Sequence, residues 1–194
     1  GIFLVQSVIN SFGSTAIAGY SAGMRIESLS IVPMLAMGNA MSTFTAQNMG
    51  AGKIDRVKEG YRMCYVIVLT AGAVLCVMYQ LAGGAFVSLF LDSGSSEAYS
   101  VGLSYVKFLS FFYSFIGLKA STDGLLRGAG DVTAFTVANL VNLAIRVSVT
   151  NLFAPIYGIQ VAWMAVPLGW AANYVISFGW YLTGKWKKVR VIKK

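Results

Sequence analysis

The sequence predicts an all-α, polytopic transmembrane bundle, and three observations carry that reading. Apolar residues make up 57% of the 194 and charged residues only 11%, with a mean hydropathy of +0.69. A soluble domain carries about a quarter charged residues to solvate its surface, so the main solvent of this chain is lipid. Apolar runs of the ~20 residues that a spanning helix needs recur along the chain. The cations gather at the ends of those runs rather than along an aromatic-studded face. The net charge of +8 therefore belongs to membrane loops facing lipid headgroups, not to a nucleic-acid surface.

The elements follow in order. Residues 1–12 are apolar but too short to span, and they end at the turn-forming Gly13 and Ser14. They read as the last part of a helix that starts upstream, and they lack the basic start of a signal peptide. Residues 15–47 form a long span interrupted by Arg25, Glu27 and Pro33. It is expected to tilt, or to kink at Pro33, where a backbone hydrogen bond is lost. A polar connector follows, with Lys53, Arg56, Lys58 and Arg62, and its run 54–61 is expected as a short interfacial helix. Further spans are expected at 61–91, at 98–126 (with Lys107, Lys119 and Asp123), at 132–153 and at 159–186. A small acidic loop at 92–97, a glycine turn at 127–131 and a turn at 154–158 join them, and 187–194 is a basic tail. The count is about six spans: five complete and the first truncated.

Charge orients the bundle. The connector, the turn at Arg127 and the tail from Lys185 onward hold the loop cations, whereas the loops at 12–15, 91–97 and 154–158 hold no Lys or Arg. The positive-inside rule makes the first set and the carboxy terminus cytoplasmic. Trp170, Trp180 and Trp186 fit interfacial and packing roles, and the tail is expected on anionic headgroups.

Several chemistries are excluded. The chain has no histidine, which removes the commonest general base and metal ligand together. Cys64 and Cys76 lie in one apolar stretch at a spacing that matches no zinc pattern. No metal site, cofactor or enzymatic constellation is expected.

Three strings then stand in order: IAGYSAGMRIES at 17–28, AQNMGAGK at 46–53 and LRGAGD at 126–131. With their spacing and the charge-derived topology, they resemble the multidrug and toxic compound extrusion (MATE) transporters over essentially the whole chain. The resemblance implies one lobe of a twelve-helix exporter, helices seven to twelve, with a partner lobe in the amino-terminal half of the same polypeptide. It implies a central cavity, export of small amphipathic organic compounds, and exchange for Na+ or H+. Some members of that family bind the coupling cation through acids on the seventh and tenth helices. The first position falls upstream of Gly1 and the second aligns near Ile116, which is no carboxylate. The resemblance thus leaves the coupling site in either half.

Ionisable groups within a span face a cavity or a partner. Glu27 is the first choice for a protonatable group and Asp123 the second. Arg25 and Lys107 lie at a similar depth, so an Arg25–Glu27 or Glu27–Lys107 contact is expected, serving either substrate handling or helix pairing. Lys119, Asp123 and Arg127 share one helix face at i, i+4 and i+8 and read as a solvated or gate-side network. Arg146 reads as structural. Gln6 and Asn10, one turn apart, and Asn139 and Asn142 are amides in apolar spans, able to bind substrate or to join helices. Met24, Met34, Met37 and Met41 run along one helix with Tyr20. Of these, Tyr20 and Met24 are the pair suited to amphipathic substrates of many shapes. Two other functions remain open at this stage: a flippase for a lipid-linked precursor, and a non-transporting membrane assembly module.

Overall fold

A computed structural model describes residues 7–92 and 97–188, and among them every regular element is helical. One helical turn at 7–10 precedes six helices: α1 (Ser14–Gly50), α2 (Ile54–Val87), α3 (Glu97–Ser110), α4 (Tyr113–Gly128), α5 (Val132–Tyr157) and α6 (Gln160–Leu182). A 3-10 turn, Lys185–Lys188, closes the described chain. Helices α1, α2, α5 and α6 are each long and apolar enough to cross a membrane, and α3 with α4, bent by 52° between them, is together long and apolar enough for a broken span or a re-entrant loop.

Local chemistry explains where the helices stop. Gly13 and Gly158 have φ of +87° and +93°, in the region that favours glycine, and they bound α1 and α5. Asp131 caps α5 by accepting from the Ala134 amide at 3.4 Å. The same carboxylate accepts the Trp180 indole N–H at 2.7 Å, tying the start of α5 to the end of α6.

The structure departs from the expected elements in three places. The run expected as a separate interfacial helix, 54–61, is the opening of α2, which runs on through Gly60. The turn expected at 154–158 is delayed, with Pro155 in the last turn of α5 and Gly158 beyond it. The span expected at 98–126 is two helices, broken after Ser110. That break is satisfied from the side: the Gln80 amide of α2 donates to the Lys107 carbonyl at 2.8 Å and to the Ser110 hydroxyl at 2.9 Å. Irregular backbone at membrane depth persists only with such partners.

Helix α4 is the hub, packing on α1, α2 and α6, while α5 packs chiefly on α6. The α1–α4 crossing brings backbones together. A Cβ on Gly124 would run into the Gly38 carbonyl, and one on Gly128 into the Ser42 carbonyl. Gly124 and Gly128 form the small-xxx-small pattern that permits such approach. Large apolar side chains such as Leu81 (85% exposed) and Leu29 (68% exposed) cover the outside, as lipid-facing positions require.

The crossing is directly testable. Gly124→Ala is expected to destabilise by about 1–3 kcal/mol through overpacking. Gly179→Ala, where nothing lies within 4 Å of the added carbon, is expected to be neutral or mildly stabilising. Thermal unfolding of the full-length protein in detergent compares them, and equal effects would dispose of the close-crossing argument.

Candidate functional site

The face shared by Lys119, Asp123 and Arg127 is the floor of a cavity of about 290 Å³. Its walls are Leu35, Gly38 and Asn39 of α1, and Phe135 and Asn139 of α5. The volume falls just under the ~300 Å³ at which pockets for drug-sized ligands begin, so it suits part of a ligand.

The polar groups on this floor form one network. Lys119 Nζ lies 3.1 Å from Asp123 Oδ2, with side chains 15% and 6% exposed, and donates to Asn139 Oδ1 at 3.0 Å. The Asn139 amide nitrogen donates to Asp123 Oδ2 at 3.3 Å. Ser177 of α6 donates to Asp123 Oδ1 at 2.6 Å. Both carboxylate oxygens are therefore partnered from three helices. Arg127 sits at the cavity's end, donating to Asn39 Oδ1 at 2.7 Å, with its guanidinium 5.7 Å from the centre of the Phe135 ring.

The side of α4 that faces α2 is fastened. Thr122 Oγ1 lies 2.7 Å from the Tyr61 hydroxyl and 2.8 Å from that of Tyr65, both on α2. The Ser121 hydroxyl meets Cys64 Sγ at 3.1 Å. Tyr174, Phe178, Tyr181 and Trp186 stack in series beside them. The floor of the cavity is thus held rigidly from behind.

A second polar cluster surrounds Glu27. Its carboxylate accepts the Tyr105 hydroxyl of α3. Tyr105 packs edge-on against Tyr20 at 5.2 Å and Trp163 at 5.6 Å, centroid to centroid. Arg146 of α5 lies close enough to act electrostatically on both Tyr20 and Glu27. One turn further along α1, Ser30 meets the Tyr79 hydroxyl at 2.6 Å.

The expected site residues separate accordingly. Asp123 and Asn139 meet at the cavity, and Glu27 and Tyr20 meet in the second cluster. The expected ion pairs of Glu27 with Arg25 or Lys107 are not made among the described residues. Arg25 points outward over the Phe90 ring, 5.9 Å from its centre, because it lies two residues from Glu27 and so on a different helix face. The stem of half-buried Lys107 runs over Gly83 instead. Met24 is exposed, Asn10 is exposed, and Asn142 packs its side-chain oxygen against Gly169. Gln6 lies outside the described residues. Sequence reasoning did not single out Ser177, Asn39 or Tyr105. A lone hydroxyl or amide in an apolar run carries no signal of what faces it from another helix.

The family model described as MatE matches residues 2–163. The chain is 29% identical over 192 residues to Probable multidrug resistance protein YpnP of Bacillus subtilis (strain 168), covering 98% of this chain and 43% of that protein. It thus spans less than half the length of that relative. Among solved structures it resembles an outward-facing multidrug resistance MATE family transporter of the MOP superfamily, with TM-score 0.84 and 20% identity over 96% of this chain and 43% of that one. It equally resembles such a transporter facing inward, with TM-score 0.82 and 17% identity over 91% and 40%. The likeness in structure is one of fold.

The network makes its own prediction. Lys119→Met strands a buried carboxylate and is expected to cost about 3–5 kcal/mol, most of it recovered by adding Asp123→Asn. Thermal unfolding of the four full-length variants of that cycle measures the coupling; additive effects would show that the pair acts independently.

Proposed function

The chain belongs to the MatE family, and we propose that it forms the second of two lobes of an ion-coupled exporter of amphipathic organic compounds. In this reading the protein is multi-pass in the cell membrane, with its carboxy terminus in the cytoplasm. The loop cations support that orientation. Its partner is the amino-terminal half of the same polypeptide, and lipid surrounds both.

The observation that carries the reading is a buried carboxylate–ammonium pair on the floor of an open cavity. An ionised Asp123 offers a negative charge that Lys119 neutralises. A cationic substrate group entering the cavity competes with Lys119 for that carboxylate. A proton on Asp123 removes the attraction and leaves the ammonium of Lys119 uncompensated, which repels the same cation. Proton and cationic substrate therefore exclude one another, and mutual exclusion at one site is the thermodynamic requirement for antiport. Glu27, buried against Tyr105, serves as a second ionisable group nearer the outer end of α1. The lobe's likeness to transporters facing either way supports movement of the lobe as a rigid body, the mode of alternating access by rocking.

Proteoliposomes containing the full-length protein test this with a cationic dye and an imposed pH gradient. Asp123→Asn is expected to lower gradient-driven efflux by about 5–150-fold, the range of a coupling free energy, and Glu27→Gln to lower it less. Undiminished efflux in Asp123→Asn would move coupling out of this cavity. Translocation of a labelled lipid-linked precursor without dye efflux would favour a flippase.

A further inference from the structure

The Lys119 ammonium sits in an all-oxygen setting: Asp123 Oδ2 at 3.1 Å and Asn139 Oδ1 at 3.0 Å. Ser177 holds the other oxygen of the same carboxylate, donating to Oδ1 at 2.6 Å, which leaves Oδ2 to the cation. A carboxylate and an amide carbonyl beside a water-accessible cavity are ligands of the kind that a hard cation selects. A lysine ammonium is a compact point charge with three N–H donors. Two of them are accounted for here, leaving one for the cavity that Lys119 lines.

The geometry points to Lys119 as a tethered occupant of a monovalent-cation site: its ammonium fills the place that a sodium ion would take between Asp123 and Asn139. This deepens the reading of Asp123 as the coupling carboxylate and rests on that reading for its consequence. With the cation place filled by a covalently attached charge, a sodium ion binds here only by displacing Lys119, whereas a proton on Asp123 needs no vacant place, so the proton is the favoured exchanged ion at this site. The step is a simple transfer. A hydronium ion in the cavity gives a proton to Asp123 Oδ2 and leaves as water, the Lys119–Asp123 ion pair is lost, and the Lys119 ammonium keeps its bond to Asn139 and turns to the cavity.

The charged neighbours allow this exchange. On α4 only Lys119 and Arg127 face Asp123, and Arg127 is engaged by Asn39 of α1. Helix α5 presents the neutral Asn139, and α6 the neutral Ser177 and Asn173. Arg146 lies two turns further along α5, toward Tyr20 and Glu27. Among the described residues, no group of three or more His, Cys, Asp or Glu offers a competing site for a divalent metal.

Vacating the place converts the site. In the purified full-length protein, Lys119→Met is expected to gain stabilisation by sodium chloride over N-methylglucamine chloride, raising Tm by at least about 3 °C. Lys119→Gln, which still bonds to its neighbours, is the second variant if the first folds poorly, with the same expectation. The wild type and Lys107→Met, which removes a lysine not ion-paired to Asp123, are expected to show no such gain. Adding Asp123→Asn to either Lys119 variant is expected to abolish it. The inference is overturned if neither Lys119 variant responds to sodium, if the response survives Asp123→Asn, or if the wild type already binds sodium through Asp123. Dye efflux in Asp123→Asn separately decides whether Asp123 couples transport, so the two readings fail by different measurements.

Discussion

The constraint on which this structure turns is the absence of water at membrane depth. A polar group in a span has little solvent to fall back on, so it is favoured to find a partner or line a cavity. Among the described residues the rule has visible consequences. Asp123 collects partners from three helices. Glu27 takes the hydroxyl of Tyr105. The broken backbone between α3 and α4 takes the amide of Gln80. Each of these interactions joins helices that apolar contact alone would hold with little directional preference, because lipid tails are as apolar as leucine.

Helix α4 gathers most of these demands. Its small residues, Gly124 and Gly128, let α1 approach to backbone contact. Its hydroxyls, Ser121 and Thr122, fasten it to α2. The remaining face carries Lys119, Asp123 and Arg127. One short helix of 16 residues thus has a steric face, a hydrogen-bonding face and a charged face. The first two hold the third in place against the cavity.

Much of the fold was legible in the sequence, because composition and hydrophobic run length report directly on the solvent a helix faces. The long apolar runs and the turn at Gly13 needed nothing further. The break after Ser110 was not legible: the residues there, Phe111, Phe112 and Tyr113, are neither glycine nor proline, and the stabilising Gln80 lies on another helix. The site divides along the same line. Lys119, Asp123 and Arg127 share a face by spacing alone, so their grouping could be read directly. That they floor a cavity rather than meet solvent depends on α1 and α5, which approach from elsewhere in the chain. The expected pairing of Glu27 with Arg25 or Lys107 matched charges by depth, but depth does not set azimuth. Two residues along a helix turn a side chain through more than half a circle, and Tyr105 was better placed.

Depth and azimuth together also give the two ionisable clusters different surroundings. Glu27 is held by the hydroxyl of Tyr105, whose ring packs edge-on against Tyr20 and Trp163. Asp123 is bounded by glycines on α1 and α4 and by a cavity that Asn39, Lys119 and Arg127 line. Asp123 thus meets an ammonium that competes for its charge beside a cavity, whereas Glu27 meets a phenol from a neighbouring helix. The same chemical group faces a charge in one place and a hydroxyl in the other, and the difference lies in what the neighbouring residues present to it.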